Sequence, residues 1–259
     1  MSTTSIMIVG VGGQGTLLAS KLLGNVLLGA GYDVKLSEVH GMSQRGGSVV
    51  TYVKYGDKVY SPIVDQGEAD YILSFEILES ARWISYLKAG GQSARPQGGL
   101  RAQAQSAGPQ DAPETRDQPE RQARGGQSAR PQGGLRAQAQ SAEPQDAPET
   151  RDQAERQARG GHLITNTQRT WPMPVITGAM PYPENIVEKL SALADVTAVD
   201  ALALAEQAGS AKAVNVVLIG VLSQRMDIPE AAWLKAIEET VPPKFLELNK
   251  RAFELGRNA

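Results

Sequence analysis

The chain has 259 residues, a formal net charge of −2 and no cysteine. The near-neutral charge gives no basic footprint for nucleic acid. Without cysteine, the chain has no disulfides, thiolate metal sites or cysteine-ligated iron–sulfur clusters of its own. It shows neither a signal-peptide pattern nor an apolar run of transmembrane length. We therefore expect a cytoplasmic protein that works without nucleic acid or membrane partners.

The first predicted element is a buried strand over residues 5–9, which runs through a glycine-rich turn into a helix over residues 14–28. Glycines spaced in this way allow a sharp turn and the close approach of a phosphate group. The turn also exposes the free N–H groups of the first helical turn, which favour anions. The strand–turn–helix context predicts an α/β fold, but it does not fix a function. The candidate ligand-contacting residues are Gly10, Gly12, Gly13, Gln14 and Gly15.

A second strand, predicted over residues 32–39, ends in a polar, glycine-rich loop. This loop carries more polar chemistry than a simple connection requires, which favours a function or an interface because loops often hold functional groups. The alternative is an irregular connection whose polar groups face solvent. We expect the loop to lie beside the glycine-rich turn, since both leave their strands at the carboxyl end. Its residues of interest are Glu38, His40, Ser43, Gln44, Arg45, Gly46 and Gly47.

Three side chains of this loop have competing interpretations. Glu38 stands where dinucleotide-binding folds place a ribose-binding carboxylate, which leaves a nicotinamide or flavin nucleotide open as a ligand. Arg45 suits a phosphate or carboxylate ligand, and equally an ion pair with Glu38 or a partner subunit. His40 is either an acid–base group or a plain surface histidine. The pattern assigns no catalytic and no metal-ligating residue.

The rest of the chain alternates between strands and helices. Asp200 is expected to cap the helix that follows it, and Asn215 to be a buried, hydrogen-bonded amide in an apolar helix. The alternation predicts a doubly wound, mostly parallel Rossmann-like sheet with helices on both faces. The predicted strands are residues 49–54 and 58–63, paired as a hairpin, and residues 69–75, 162–166, 174–177 and 196–199. The predicted helices are residues 77–87, one opening at Pro183, and residues 201–207, 211–224, 229–240 and 243–255.

Residues 90–159 interrupt this alternation with two near-identical copies of a 35-residue unit. Apart from alanine, their only aliphatic residues are Leu100 and Leu135, and they contain no aromatic residue. Such a segment cannot bury enough apolar surface to offset the entropy of ordering it, and it lacks the hydrophobic face of a solenoid repeat. We predict a disordered insertion in a helix-to-strand connection, with residues 1–89 and 160–259 forming a single domain.

The two glycine-containing loops together resemble one family. Residues 10–15 (GVGGQG) and 37–49 (SEVHGMSQRGGSV) are similar to the gamma-type domain of the 2-oxoacid:ferredoxin oxidoreductases. Within that family they most resemble the small beta subunits of the indolepyruvate-oxidising members. Tyr182-Pro183, Val199-Asp200-Ala201 and Asn215 fit the same pattern. The resemblance covers residues 5–255 except the repeats, which depart from it.

This resemblance implies a multi-subunit enzyme that oxidatively decarboxylates an aryl 2-oxoacid such as indolepyruvate. Coenzyme A would be converted to an arylacetyl-CoA, and the electrons would pass to ferredoxin. Thiamine diphosphate, magnesium and the 4Fe–4S clusters are then expected in a large partner subunit. The present chain would supply an interface and a crevice, in which Gly12, Gly13 and Gln14 offer backbone donors and Arg45 offers charge to the coenzyme A phosphates.

Two alternatives stay open at this point. One is an independent NAD(P)- or flavin-binding oxidoreductase, and the other is a non-catalytic structural subunit of the same complex.

Overall fold

The computed structural model describes residues 3–39, 47–90 and 160–259. Within these residues, one six-stranded sheet is built from β1 (Thr3–Val11), β2 (Asp33–Val39), β3 (Ser48–Gly56), β4 (Tyr71–Ser74), β5 (His162–Asn166) and β6 (Asp195–Val199). The strands are ordered β2-β3-β1-β4-β5-β6. Strand β3 is antiparallel to both of its neighbours, and the β1–β4, β4–β5 and β5–β6 pairs are parallel. The mostly parallel sheet is therefore confirmed.

Helices cover both faces of the sheet, as a doubly wound fold requires. They are α1 (Thr16–Gly29), α2 (Ile77–Trp83), α3 (Met173–Ile176), α4 (Ile186–Ser191), α5 (Ala201–Ala208), α6 (Val214–Ser223), α7 (Glu230–Thr240) and α8 (Leu246–Arg257). Strand side chains alternate between two cores because successive residues point to opposite faces. Ile6 and Ile8 face α1 and α5–α8, whereas Met7 and Val9 face α2 and α4.

Two of the predicted strands are wrong. Residues 58–63 form no strand, and β3 instead runs on to Gly56 and pairs with β2 on one side and β1 on the other. Both edges of β3 are thus occupied, and Pro62 has no N–H group to give to a sheet ladder. Residues 174–177 were expected to be extended, but most of them belong to α3, where Pro174 sits in the first helical turn.

The helices follow the expected pattern with shifted ends. Every residue of α6 is buried, as its apolar composition predicts. The Asp200 carboxylate accepts a hydrogen bond from the Ala203 N–H at 3.0 Å, which confirms it as the cap of α5. The helix expected to open at Pro183 begins at Ile186 instead, after Asn185 adopts a left-handed backbone with φ of 54°. None of the described helices is long and apolar enough to cross a membrane.

The two ends of the sequence repeat meet at one place in the sheet. The Gly161 N–H donates to the Lys88 carbonyl at 2.9 Å, immediately before β5 starts opposite β4. We call this side, where the parallel strands begin, the amino edge, and the opposite side the carboxyl edge. The prediction of disorder falls on residues 91–159, which lie outside the described residues. The expected position of the insertion, before a strand at the amino edge, is confirmed.

Candidate functional site

The glycine-rich turn leaves β1 at the carboxyl edge and is braced by a glutamine. The Gln14 Oε1 accepts from the Val11 N–H at 2.7 Å, and its Nε2 donates to the Phe75 carbonyl at 3.4 Å. A Cβ atom at Gly10 would lie 2.8 Å from this Oε1, so a larger residue would displace the brace. The Gln14 side chain therefore ties the turn to the end of β4.

The backbone N–H groups of this turn divide into two sets. The Gly12 N–H donates to the Gly47 carbonyl at 2.9 Å, and the Gln14 N–H to the Val11 carbonyl at 3.2 Å. Both groups are thus engaged inside the protein. The N–H groups of Gly13, Gly15 and Thr16 donate to no acceptor in the described part of the chain. They stand at the start of α1, where the helix dipole also favours an anion.

Gly15 and Asn215 form a close contact beneath the turn. Gly15 has a φ of 83°, and a Cβ atom there would lie 2.9 Å from the Asn215 Nδ2. That Nδ2 donates to the Gly15 carbonyl at 3.4 Å, while the Asn215 Oδ1 accepts from the Val216 N–H at 2.9 Å. Asn215 is only 5% exposed. The prediction of a buried amide that ties backbone together is confirmed.

Glu38 stands further from the turn than a dinucleotide-binding fold would place it. Strand β3 lies between β2 and β1, so two inter-strand spacings of about 4.8 Å each separate Glu38 from the strand that leads into the turn. Glu38 Oε1 accepts from the Ser20 hydroxyl at 2.8 Å. The reversed strand β3 therefore takes the place that a dinucleotide-binding fold gives to the carboxylate-bearing strand.

The polar loop is described only at its ends. His40, Ser43, Gln44, Arg45 and Gly46 lie outside the described residues. At the far end, the Gly47 carbonyl reaches the glycine-rich turn through the Gly12 N–H. The polar loop thus contacts the glycine-rich turn at the end where β3 begins.

The next residue along, Ser48, is held by a buried carboxylate on α2. Its hydroxyl donates to Glu79, which also accepts from the Arg82 Nε at 3.0 Å and the Trp83 Nε1 at 3.2 Å. Glu79 is only 4% exposed, and these donors satisfy it. It therefore fixes the start of β3 next to the polar loop.

Glu76 is the main residue that sequence reasoning missed. It follows β4 at the carboxyl edge and is 1% exposed. Its Oε2 accepts from the Leu78 and Glu79 N–H groups at 2.7 and 3.0 Å, and its Oε1 accepts from the Thr170 N–H at 2.9 Å. The Tyr182 hydroxyl lies 3.5 Å from the same Oε1. A single carboxylate thus caps α2 and holds the segment that follows β5.

Burial raises the pKa values of both Glu76 and Tyr182. Desolvation raises the pKa of the Glu76 carboxyl above its ordinary value, although the N–H donors oppose the change. Burial and the neighbouring Glu76 charge raise the pKa of Tyr182 to about 12, against the opposing effect of Arg169. Tyr182 is therefore protonated at neutral pH and available as a donor. An acidic residue directly after a buried strand is the sequence signal that would have pointed to Glu76.

Asn166 completes the bracing of the carboxyl edge. It ends β5 with no exposed surface, and its Nδ2 donates to the Phe75 carbonyl at 3.2 Å. Its Oδ1 accepts from the Ala201 N–H at 3.2 Å, which joins β5 to the start of α5. The Gln14 and Asn166 side chains therefore converge on the Phe75 carbonyl. They hold the loops of this edge in a defined shape.

A cavity of about 230 Å³ lies at the opposite, amino edge. Its buried histidine contacts two side chains: His162 Nδ1 lies 2.8 Å from Asp195 Oδ2, and His162 Nε2 lies 2.9 Å from the Thr197 hydroxyl. Burial lowers the pKa of His162 despite the nearby Asp195. The described residues contain no group of three or more His, Cys, Asp or Glu side chains placed to hold a metal ion.

Known proteins of similar sequence match along nearly the whole chain. Curated relatives include the indolepyruvate oxidoreductase subunit IorB of Thermococcus kodakarensis, 35% identical over 100% of this chain and 96% of the relative. The subunit of the same name from Pyrococcus horikoshii is 33% identical over the same shares of both chains.

Solved structures share the fold at lower identity. The gamma subunit of a keto/oxoacid ferredoxin oxidoreductase from Geobacter sulfurreducens has a TM-score of 0.54 at 17% identity, covering 98% of this chain and 96% of that one. A 2-oxoglutarate:ferredoxin oxidoreductase from Magnetococcus marinus has a TM-score of 0.56 at 14% identity. It matches 100% of this chain but only 31% of its own.

The family model described as pyruvate ferredoxin/flavodoxin oxidoreductase matches residues 5–93 and 139–259. These ranges contain the glycine-rich turn, the polar loop and the Glu76 and Asn215 contacts. The resemblance drawn from residues 10–15 and 37–49 is confirmed by this match and by the full-length relatives. The chain belongs to the pyruvate ferredoxin/flavodoxin oxidoreductase family and is a subunit-type member of the 2-oxoacid:ferredoxin oxidoreductases.

Proposed function

We propose that this chain is the small subunit of a complex that oxidatively decarboxylates an aryl 2-oxoacid, with indolepyruvate as the substrate. Coenzyme A is the acyl acceptor, arylacetyl-CoA and carbon dioxide are the products, and ferredoxin takes the electrons. The supporting observation is similarity over the whole chain to curated indolepyruvate oxidoreductase subunits. The paired glycine-rich turn and polar loop at the carboxyl edge give this chain a place to act.

In this proposal the partner is a large subunit that carries thiamine diphosphate, magnesium and the 4Fe–4S clusters. The chemistry of those groups fits a partner better than this chain, which has no cysteine to ligate a cluster. The complex works in the cytoplasm. Residues 1–89 and 160–259 form one gamma-type domain, and we assign no activity to residues 90–159.

The contribution of this chain is to bind and orient coenzyme A. The N–H groups of Gly13, Gly15 and Thr16 point from the start of α1 and suit phosphate oxygens. Gly12 and Gln14 support the turn rather than the ligand, since their N–H groups are engaged within the protein. Arg45 adds a guanidinium from the adjoining polar loop, where Ser43 and Gln44 offer further hydrogen-bonding groups.

The strand order of the sheet argues against an independent dinucleotide-binding enzyme. Such enzymes bind the ribose with a carboxylate on the strand next to the glycine turn. Here β3 occupies that place, and Glu38 on β2 is hydrogen-bonded to Ser20 of α1. The other alternative is a structural subunit that makes no contact with coenzyme A, and the experiment below distinguishes it from the proposed function.

The test is steady-state kinetics of the complex made by co-expressing this chain with the large subunit and purifying both without oxygen. Indolepyruvate-dependent viologen reduction is measured against coenzyme A concentration for wild type, Arg45→Ala and Arg225→Ala. Loss of one charge-assisted contact should raise the KM for coenzyme A about tenfold in Arg45→Ala. Arg225 lies at the amino edge and serves as the matched control.

A slower Arg45→Ala enzyme with an unchanged KM for coenzyme A would favour the structural subunit. A chain that purifies alone, free of iron and with a bound nucleotide, would favour the dinucleotide enzyme instead.

A further inference from the structure

One exposed segment of the carboxyl edge carries no charge at all. Residues 170–183, which we call the apolar strap, lie between Arg169 and Glu184 without an acidic or basic residue. The strap connects β5 to α4 and contains the short helix α3. Its large apolar side chains are mostly exposed: Trp171 54%, Met173 67%, Ile176 62% and Met180 60%. Surfaces of this composition are typical of interface cores.

The strap is held in place from beneath. The Glu76 carboxylate accepts from the Thr170 N–H and contacts the Tyr182 hydroxyl, so one buried group fixes both ends. The Trp171 and Tyr182 rings pack with centroids 5.1 Å apart. The Met180 N–H donates back to the Pro174 carbonyl at 3.1 Å, which folds the strap onto itself.

These contacts and the four prolines of the strap reduce the entropy that docking would otherwise cost. The apolar side chains are therefore presented on a preformed surface rather than on a loose loop.

The exposed area is large for an isolated subunit. The four large apolar side chains of the strap are each exposed over about 60% of their surface. Together they present roughly 500 Å² of mostly apolar surface, which is at the upper end of what a monomer usually exposes. A stable interface needs about 800 Å² from each partner, so the strap alone provides more than half of it.

The repeats of this chain are poorly suited to cover the strap. Apart from alanine, they offer only Leu100 and Leu135 as aliphatic side chains. A separate protein with an apolar groove is the better complement.

We propose that the apolar strap is the docking ridge by which this chain binds the large subunit of its oxidoreductase complex. The inference rests on the proposed function, which supplies that partner. Two observations favour the large subunit over a second copy of this chain. The strap lies at the same edge as the glycine-rich turn: Glu76 binds the strap, and the carbonyl of the adjacent Phe75 accepts from Gln14. The same fold also matches 31% of a longer chain in the Magnetococcus marinus enzyme, so there it is continuous with further polypeptide.

Docking through the strap would place the glycine-rich turn beside the partner's reaction centre. The turn and the strap therefore have separable tasks: the turn binds coenzyme A, and the strap binds protein.

The experiment is co-expression of the tagged full chain with the large subunit, followed by affinity capture and size-exclusion chromatography without oxygen. The Met173→Asp/Ile176→Asp variant should retain less than a tenth of the large subunit captured by wild type. Ile63→Asp is the matched control, because Ile63 is 60% exposed and lies in a loop that begins and ends at the amino edge. It should capture the large subunit like wild type.

The folding of each variant is checked by its circular dichroism and thermal midpoint, and Met173→Ala/Ile176→Ala replaces the double aspartate if the latter unfolds.

Each result bears on the proposal. A folded double aspartate variant that captures the large subunit like wild type overturns docking at the strap, while an active wild-type complex leaves the proposed function intact. A wild type that forms dimers dispersed by the double aspartate, with no large subunit bound, assigns the strap to self-association and also overturns the proposal. Strap-dependent capture without indolepyruvate turnover supports docking and refutes the proposed substrate.

Discussion

The two edges of the sheet use their buried polar groups in different ways. At the amino edge, the buried His162 ring lies against the side chains of Asp195 and Thr197 beside a cavity. At the carboxyl edge, Gln14 and Glu76 bond to main-chain groups of loops and so determine loop shape. A concave pocket is the usual first guess for a site, but parallel sheets bind ligands at their carboxyl edge. The coenzyme A site that we propose follows the second criterion.

The largest effect is expected from a glycine of the carboxyl edge. Gly15→Ala places a Cβ atom 2.9 Å from the Asn215 Nδ2 at a φ of 83°. Backbone strain and overpacking together should lower the free energy of unfolding by about 3 kcal/mol. Gly67→Ala, in an amino-edge loop, has a φ of 81° but open space around the new atom, so it should cost only about 1 kcal/mol.

Urea unfolding of both variants measures the difference. Equal losses of stability would mean that the contact between Gly15 and Asn215 is unimportant.

A second prediction concerns Glu76→Gln. Glutamine has one acceptor oxygen, so either the α2 donors or the strap donors face an amide NH₂ group. Leaving buried N–H groups without an acceptor should cost about 2 kcal/mol. Thermal unfolding checks this, with the exposed Glu206→Gln as the control, which should match wild type.

The stability difference between wild type and Glu76→Gln should change with pH in a defined direction. Because burial raises the pKa of Glu76, the folded chain keeps this proton to higher pH than the unfolded chain does. Its contribution to stability is therefore greatest below the ordinary pKa of 4.5 and decreases as pH rises through the folded pKa. Glu76→Gln lacks this titration, so its deficit should be smaller at pH 7 than at pH 4. A deficit that grows with pH contradicts the raised pKa.

At the amino edge, stability should change with pH in the opposite direction. Burial lowers the pKa of His162, so the folded chain binds a proton less readily than the unfolded chain. The resulting stability is present above the ordinary pKa of 6.5 and is lost as pH falls through that value toward the folded pKa. Relative to His162→Asn, wild type should lose about 1 kcal/mol or less between pH 7.5 and pH 5.5. Denaturant melts at the two pH values test this, and parallel curves would contradict it.

The smallest effect is expected when residues 91–159 are removed and Gly90 is joined to Gly160. The hydrogen bond from Gly161 to Lys88 already closes this connection at the amino edge. Shortening a loop lowers the entropic cost of closing it by roughly 0.6 kcal/mol per halving of its length, so the thermal midpoint should not fall.

Capture of the large subunit should also be unchanged by this excision. The same repeat inserted after Gly178 in the strap provides the contrast and should abolish capture. A marked loss of stability on excision would refute the single-domain proposal for residues 1–89 and 160–259.

Local features of the fold were predictable from sequence, because their signals are local. The glycine-rich turn after an apolar strand, the Asp200 cap and the buried α6 helix each depend on a short run of residues. Strand order was not predictable in the same way, since pairing of β3 between β2 and β1 depends on contacts between distant segments. The extended pattern of residues 58–63 suggested a hairpin partner for β3, but β1 occupies that edge.

The motifs of the candidate site were predictable from sequence, but the hydrogen bonds that hold its loops in place were not. Gly12 and Gln14 were expected to face a ligand, whereas their N–H groups are engaged by Gly47 and Val11. The position of Glu76 after a buried strand is a local signal, but its contact with Thr170, from the far side of the repeats, is not. Such a contact joins residues 94 positions apart and leaves no local pattern.

The reversed direction of β3 limits how far the polar loop can extend from the sheet. Since β2 and β3 are antiparallel neighbours, residues 40–46 leave and re-enter the sheet at the same edge, between Val39 and Gly47. A chain of that length, tethered at both ends, extends at most about 14 Å from its anchors. Under the proposed function, coenzyme A must therefore come to this edge of the sheet to meet Arg45, and a partner that brings a reaction centre to the coenzyme must bind against the same edge.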